Sequence, residues 1–239
     1  MPLTLVTGGG RGIGAAISLR LASEGHDLVI TYLKDRDAAE SVARQAHRDG
    51  RRATALQADT ADPASIDALF ARIATLGPLT GLVNNAGAAT AVGRLEDNGI
   101  EAIRRDLDVN LFGVIACTRR ALPALRSTGG SIVNISSVAA ALGGPGTYVH
   151  YAAAKAGVEA FTVGLAKEVA ADGVRVNAVA PGTVWTDFHQ DPERPAKAAP
   201  AIPMGRAGLP EEIAGAVAWL LSDDARYATG SVLKVAGGL

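Results

Sequence analysis

The amino-acid pattern predicts an α/β protein, a doubly wound parallel sheet of seven strands with helices on both faces. Three observations carry this expectation. Short β-branched runs alternate from end to end with longer alanine-rich segments of helical periodicity, the arrangement of parallel strands joined by crossover helices. Several short runs, such as Ile132-Val133-Asn134-Ile135 and Val174 to Val179, are apolar on nearly both faces, as strands covered from two sides must be. A chain of 239 residues with 48% hydrophobic and 20% charged side chains supports one sizeable core and excludes a disordered or coiled-coil protein.

The strands are read at Leu3 to Thr7, Leu28 to Tyr32, Ala53 to Gln57, Gly81 to Asn84, Ser131 to Ser136, Arg175 to Ala180 and Ser231 to Val235. The first runs into Thr7-Gly8-Gly9-Gly10-Arg11-Gly12-Ile13-Gly14 and a helix from Ala15 to Ala22; two long helices are expected over Ile100 to Leu125 and Tyr151 to Ala171. No linker, repeat or low-complexity tract divides this alternation, so residues 1–239 read as one domain. The exception is Phe188 to Gly208, with prolines at 192, 195, 200 and 203. It is too long and proline-rich for a simple connection, and residues 187–208 are expected to form a lid or surface loop over a substrate.

Charge and composition narrow the function. The formal charge is -1 and the 23 basic residues are scattered, which argues against nucleic acid or an anionic membrane surface and for a small-molecule substrate. The uncharged stretch 127–154 is interrupted by Asn134, Ser136, Ser137 and Gly143-Gly144-Pro145-Gly146, so it cannot span a membrane, and the first residues lack a signal-peptide pattern. The lone Cys117 excludes a disulfide framework and fits a reducing cytoplasm; lying on an apolar helix stretch with Val114 and Ala121, it reads as a packing thiol. No histidine or carboxylate spacing points to a metal.

A glycine-rich turn between the first strand and first helix lets backbone approach a pyrophosphate, and the helix N-terminus offers unpaired N–H groups and a favourable dipole. Here the glycines Gly8, Gly10, Gly12 and Gly14 follow the spacing T-G-x-x-x-G-x-G rather than G-x-G-x-x-G, with Arg11 and Ile13 between them. Asp59-Thr60 and Asn84-Asn85-Ala86-Gly87 fall at the carboxyl ends of the third and fourth strands, where open α/β sheets bind ligands. Asp59 is open to a second reading as a cap for the following helix, and Asn84 to Gly87 to one as a side-chain-stabilised turn.

Tyr151 and Lys155 stand four apart and share one helix face. An ammonium beside a phenol favours the phenolate, so the pair forms a usable acid and base. Ser137, just past the fifth strand, can hydrogen-bond a substrate oxygen, and Asn110 is a poor helix former inside a helical segment. Taken singly, each of these residues has an ordinary structural reading as well.

Together with the glycine turn, these residues resemble the short-chain dehydrogenase/reductase family over essentially the whole chain. The resemblance rests on Thr7 to Gly14, Asp59, Asn84 to Gly87, the tetrad Asn110, Ser137, Tyr151 and Lys155, then Pro181-Gly182 and Thr186, Gly205-Arg206 and Gly237-Gly238. It implies a seven-stranded Rossmann fold, in agreement with the strand count. It further implies interconversion of a carbonyl and a secondary alcohol by hydride transfer with a nicotinamide cofactor. In that scheme Tyr151 exchanges the proton, Lys155 lowers its pKa and holds the nicotinamide ribose, Ser137 orients the substrate oxygen and Asn110 holds a relay water. Asp59 would serve the adenine, and Thr186 and backbone near Val184 the carboxamide. The branch looks like the ketoacyl-reductase and glucose-dehydrogenase type, although Gly143 to His150 is one residue longer than in ketoacyl-carrier-protein reductases, against a fatty-acid substrate. A same-fold isomerase or dehydratase, or a non-catalytic nucleotide-binding protein, is the alternative. The resemblance also implies a homotetramer, or at least a dimer, through the two long helices and the last strand.

Cofactor choice turns on the end of the second strand, where a carboxylate would bind the ribose hydroxyls of NAD(H). Tyr32 and Leu33 stand there, with Arg11, Lys34 and Arg36 nearby, which favours NADP(H); Asp35 would reverse the preference if the strand ran longer. His150 and His189 are both set aside, the first because Tyr151 fills its role and the second, in the proline-rich segment, with a substrate contact as its alternative reading.

Overall fold

The computed structural model describes residues 1–239. Seven strands, β1 (Leu3–Val6), β2 (Asp27–Tyr32), β3 (Ala53–Gln57), β4 (Leu79–Asn84), β5 (Ser131–Ile135), β6 (Arg175–Pro181) and β7 (Val232–Val235), form one parallel sheet in the order β3-β2-β1-β4-β5-β6-β7. Every predicted strand is present within two residues of its expected bounds. The order reverses direction between β1 and β4, which opens a crevice at their carboxyl ends.

Two apolar layers explain why the strands are hydrophobic on both sides. One packs Val6, Ile30, Val83 and Val133 against α1 (Gly12–Ser23), α2 (Arg36–Arg48) and, near the chain end, Pro210–Leu221, through Ile17, Leu21, Val42 and Val217. The other packs Leu5, Val29, Leu82 and Ile132 against α3 (Pro63–Ala74) and the two long helices, through Ile66, Leu69, Leu125 and Leu165. Cys117 is fully buried in this second layer, and burial pushes its thiol up to about 12, so it packs as expected and stays protonated.

The predicted helix Ile100 to Leu125 is not continuous. It is α4 (Ile100–Leu107), one π turn (Asp108–Phe112) and α5 (Gly113–Thr128). A π turn continues the helical rod with no glycine or proline within it, so the segment reads as one helix, and Asn110 sits inside the turn. Next come α6 (Ala139–Leu142), α7 (Val149–Val169), α8 (Arg194–Ala198) and α9 (Pro210–Leu221). On α7 Val158 and Leu165 are buried against the sheet, not outward. The segment after β6 leaves and returns through one bridge, Val184 to Gly208, with Trp185 N donating to Gly208 O at 3.0 Å and Gly208 N to Thr183 O at 2.9 Å. No helix is long and apolar enough to cross a membrane.

Under the crevice, Asn84 and Asn134 face each other across β4 and β5. Asn84 Nδ2 donates to Asn134 Oδ1 at 2.8 Å and to Thr118 Oγ1 at 2.9 Å, and Asn134 Nδ2 donates to Thr162 Oγ1 at 2.9 Å. This buried ladder ties α5 and α7 to the two strands whose ends carry Asn85 and Ser137.

Candidate active site

A single cavity of about 850 Å³ opens along the carboxyl edge of the sheet. At one end lies the turn between β1 and α1. Gly8 and Gly12 hold positive φ, and a Cβ on Gly14 would overlap the Gly8 carbonyl and the Asn85 side chain, so side chains are excluded here. The N-cap of α1, Arg11, makes no side-chain capping bond. The first-turn N–H groups of α1 are therefore left to the cavity, which suits an anionic group such as a pyrophosphate. Thr31 Oγ1 accepts from Gly8 N at 3.0 Å, while Asn85 Nδ2 donates to the carbonyls of Thr7 and Gly8, fixing the turn from both neighbouring strands.

All four glycines, Arg11, Ile13, Tyr32, Lys34, Asp59, Thr60, Asn85, Ala86, Gly87, Pro181, Gly182, Val184 and Thr186 line this cavity, together with Ser137, Tyr151 and Lys155. Asn110 does not. It is fully buried behind the loop after β4, accepting from Ala88 N and donating to Ala88 O at 2.6 Å and Asp106 O at 2.8 Å. It shapes the cavity wall through backbone.

Two sequence expectations change. Asp59 does not cap α3; Asp62 does, accepting from Ala64 N at 3.0 Å, while Arg105 Nη2 donates to both Asp59 oxygens. The sequence gives no local sign of that partner, 46 residues away. Likewise burial, not Lys155, sets the direction of the Tyr151 pKa. Burial pushes the phenol above its ordinary range, with the Ser137 hydroxyl acting in the opposite direction, and burial pulls Lys155 down to about 8. Lys155 Nζ donates to Ile135 O at 2.9 Å and lies 5.6 Å from the Tyr151 ring centroid.

The other end of the cavity is aromatic. Tyr148 packs edge-on against Tyr151 with ring centroids 5.0 Å apart, and Phe188 lies 5.9 Å from Tyr151 on the far side. His189 lines this end too, with Nε2 3.1 Å from Val184 O. Sequence reasoning missed Asp106, a buried carboxylate that takes Thr90 N, Thr90 Oγ1 and Ala91 N and lies 3.1 Å from His150 Nε2. The available signal was its position four residues before Asn110, hence on the same helix face.

Comparison with known proteins agrees with this geometry. A family model described as Enoyl-(Acyl carrier protein) reductase matches residues 8–239. The chain is 44% identical over the full length of both proteins to an uncharacterized oxidoreductase, YgfF, of Escherichia coli. It is 38% identical to a 3-oxoacyl-[acyl-carrier-protein] reductase of Staphylococcus aureus, covering 98% of this chain and 96% of that one. A crystal structure of a short chain dehydrogenase from Burkholderia cenocepacia in complex with NADP superimposes with a TM-score of 0.93 at 38% identity, covering 99% and 97% of the two chains. Agreement of this extent in sequence and in fold makes the chain a member of the short-chain dehydrogenase/reductase family of oxidoreductases.

Proposed function

We propose that this protein interconverts a carbonyl and a secondary alcohol on a small molecule with NADP(H) as the hydride partner. The observation that carries the reading is the continuity of one cavity from the uncapped N-terminus of α1 to the buried Tyr151 hydroxyl. The nicotinamide, when bound, supplies or accepts the hydride. Tyr151 gives its proton to the substrate oxygen on reduction and takes it back on oxidation; burial keeps the phenol protonated until the oxygen develops charge. Ser137 holds that oxygen by a hydrogen bond. Lys155, fixed on Ile135 O, keeps N–H groups free that would hold the nicotinamide ribose. Asn110, through Ala88, holds the loop that borders both ends of the cavity.

NADP(H) is favoured over NAD(H) by the end of β2. The strand stops at Tyr32, and the Asp35 carboxylate is engaged as the N-cap of α2, accepting from Ala38 N at 3.0 Å. Arg11 and Lys34 line the cavity there, exposed, with no carboxylate within 4.0 Å, which suits a 2′-phosphate. Exposed Ile100, Phe112 and Ile115, along α4, the π turn and α5, support a homo-oligomer, a tetramer by the family resemblance, and the single buried thiol supports a cytoplasmic setting.

The test is an assay of the purified protein with NADPH, and with NADP and alcohols, against ketones, ketoacyl thioesters and sugars, read by nicotinamide absorbance. Stoichiometric cofactor turnover with one class is the expected result. Substrate conversion without net cofactor oxidation would identify an isomerase or dehydratase instead.

A further inference from the structure

We propose that the substrate carries a carboxylate and that Arg194, on the segment over the cavity, binds it; this rests on the carbonyl/alcohol reading of the same site. Arg194 is half-buried and lines the cavity. Its guanidinium carbon lies 5.3 Å from the Tyr148 ring centroid, and Nη2 donates to Tyr148 Oη at 2.7 Å. That stack and that bond fix the planar fork while using one of its five N–H donors.

No carboxylate lies within 4.0 Å of Arg194. Its neighbour Asp191 is taken by Lys197 at 2.7 Å, and Asp187, on the same stretch of the lining, is out of contact. A half-buried guanidinium that lines a cavity, keeps spare donors and touches no carboxylate is stabilised by a ligand of opposite charge. The same end of the cavity carries apolar Leu142, Pro145 and Phe188 beside polar Thr147, Asp187 and His189. A guanidinium beside an apolar strip suits a largely hydrophobic body ending in one singly charged, planar acid.

The spacing sets the length. Arg194 stands one ring beyond Tyr148, which stands one ring beyond Tyr151. Steps of 5.0 and 5.3 Å put the Arg194 guanidinium no more than about 10 Å from the Tyr151 ring, which fits a carbonyl and an acid joined by about four to six bonds.

The experiment measures calorimetric binding of 5-oxo-5-phenylpentanoate and of its primary amide to the protein saturated with NADP, which cannot reduce either ketone. The acid should bind at least about tenfold tighter than the amide. In Arg194→Met the two should bind within about twofold of each other, with the affinity for NADP unchanged, and Arg194→Lys should restore part of the preference. Equal binding in the parent, no binding of either probe at millimolar concentration, or a preference that survives Arg194→Met would overturn the proposal. Equal loss of acid and amide in Arg194→Met would also overturn it, leaving Arg194 as a latch for the segment only. Turnover of the acid with NADPH, read separately, reports on the reaction itself, so failure of the one reading is distinguishable from failure of the other.

Discussion

His150 Nε2 lies 3.1 Å from Asp106 Oδ2 in a fully enclosed setting, and the contact joins the helix that carries Tyr151 to the one that leads into Asn110. The same carboxylate holds the loop after β4 through Thr90 and Ala91. Three walls of the cavity therefore meet at one side chain.

Removing it with Asp106→Ala leaves the donors of Thr90, Ala91 and His150, on two of those walls, without a partner, at a cost of about 3 kcal/mol or more. For a domain of this size that lowers Tm by about 6–12 °C. Burial tends to raise the Asp106 pKa, but the hydrogen bonds from Thr90, Ala91 and His150 prevail and hold it below the ordinary carboxylate range. A depressed carboxylate pKa contributes stability that is present above about pH 4 and lost as pH falls through the folded value. Thermal melts from pH 7 to pH 3 should show that acid-side loss in the parent and a weaker one in Asp106→Asn.

Tyr151→Phe removes the proton donor and keeps the ring against Tyr148 and Phe188. The expected loss in kcat is at least about 100-fold, with NADPH affinity nearly intact by fluorescence titration. Lys155→Ala should lower both. A Tyr151→Phe protein that retains its rate would require another proton donor.

Lys155 gives a pH signature of its own. Its folded pKa, about 8, is below the unfolded value of 10.5, so between those limits the unfolded chain binds the extra proton and stability rises with pH. Below pH 8 the buried ammonium is a standing cost. Lys155→Met is therefore expected to raise Tm most at pH 7 and progressively less toward pH 10. Because burial raises the Tyr151 pKa, the phenol adds a fall in stability above about pH 10, which sets the upper limit of the scan.

With one substrate, the parent should prefer NADPH to NADH, and Arg11→Ala should lose most of that advantage. A parent favouring NADH by tenfold, about 1.4 kcal/mol, would reverse the assignment.

Light scattering at micromolar concentration should return a mass of several chains. A uniform species of 24.3 kDa would rule out the oligomer.

The strands were legible because a sheet covered on both faces leaves long apolar runs, and the glycine turn because only glycine tolerates its backbone. Placement of Ser137, Tyr151 and Lys155 in one cavity followed from strand ends and i, i+4 spacing. What stayed hidden depends on distant partners. The spacing of Tyr151 and Lys155 brings them near each other but does not reveal that Ile135 O claims the ammonium. No glycine or proline within the π turn marks it at Asn110, and nothing near Asp106 announces His150, 44 residues later.

The bridge between Val184 and Gly208 has an evolutionary corollary. Both ends of the intervening stretch are clamped to each other by backbone bonds, so its two ends are held whichever side chains it carries, while Gln190 and Arg194 add contacts of their own. Residues 187–207 thus behave as an exchangeable cassette: swapping this stretch between relatives should retarget the substrate while the sheet, the glycine turn and the proton donor are inherited unchanged.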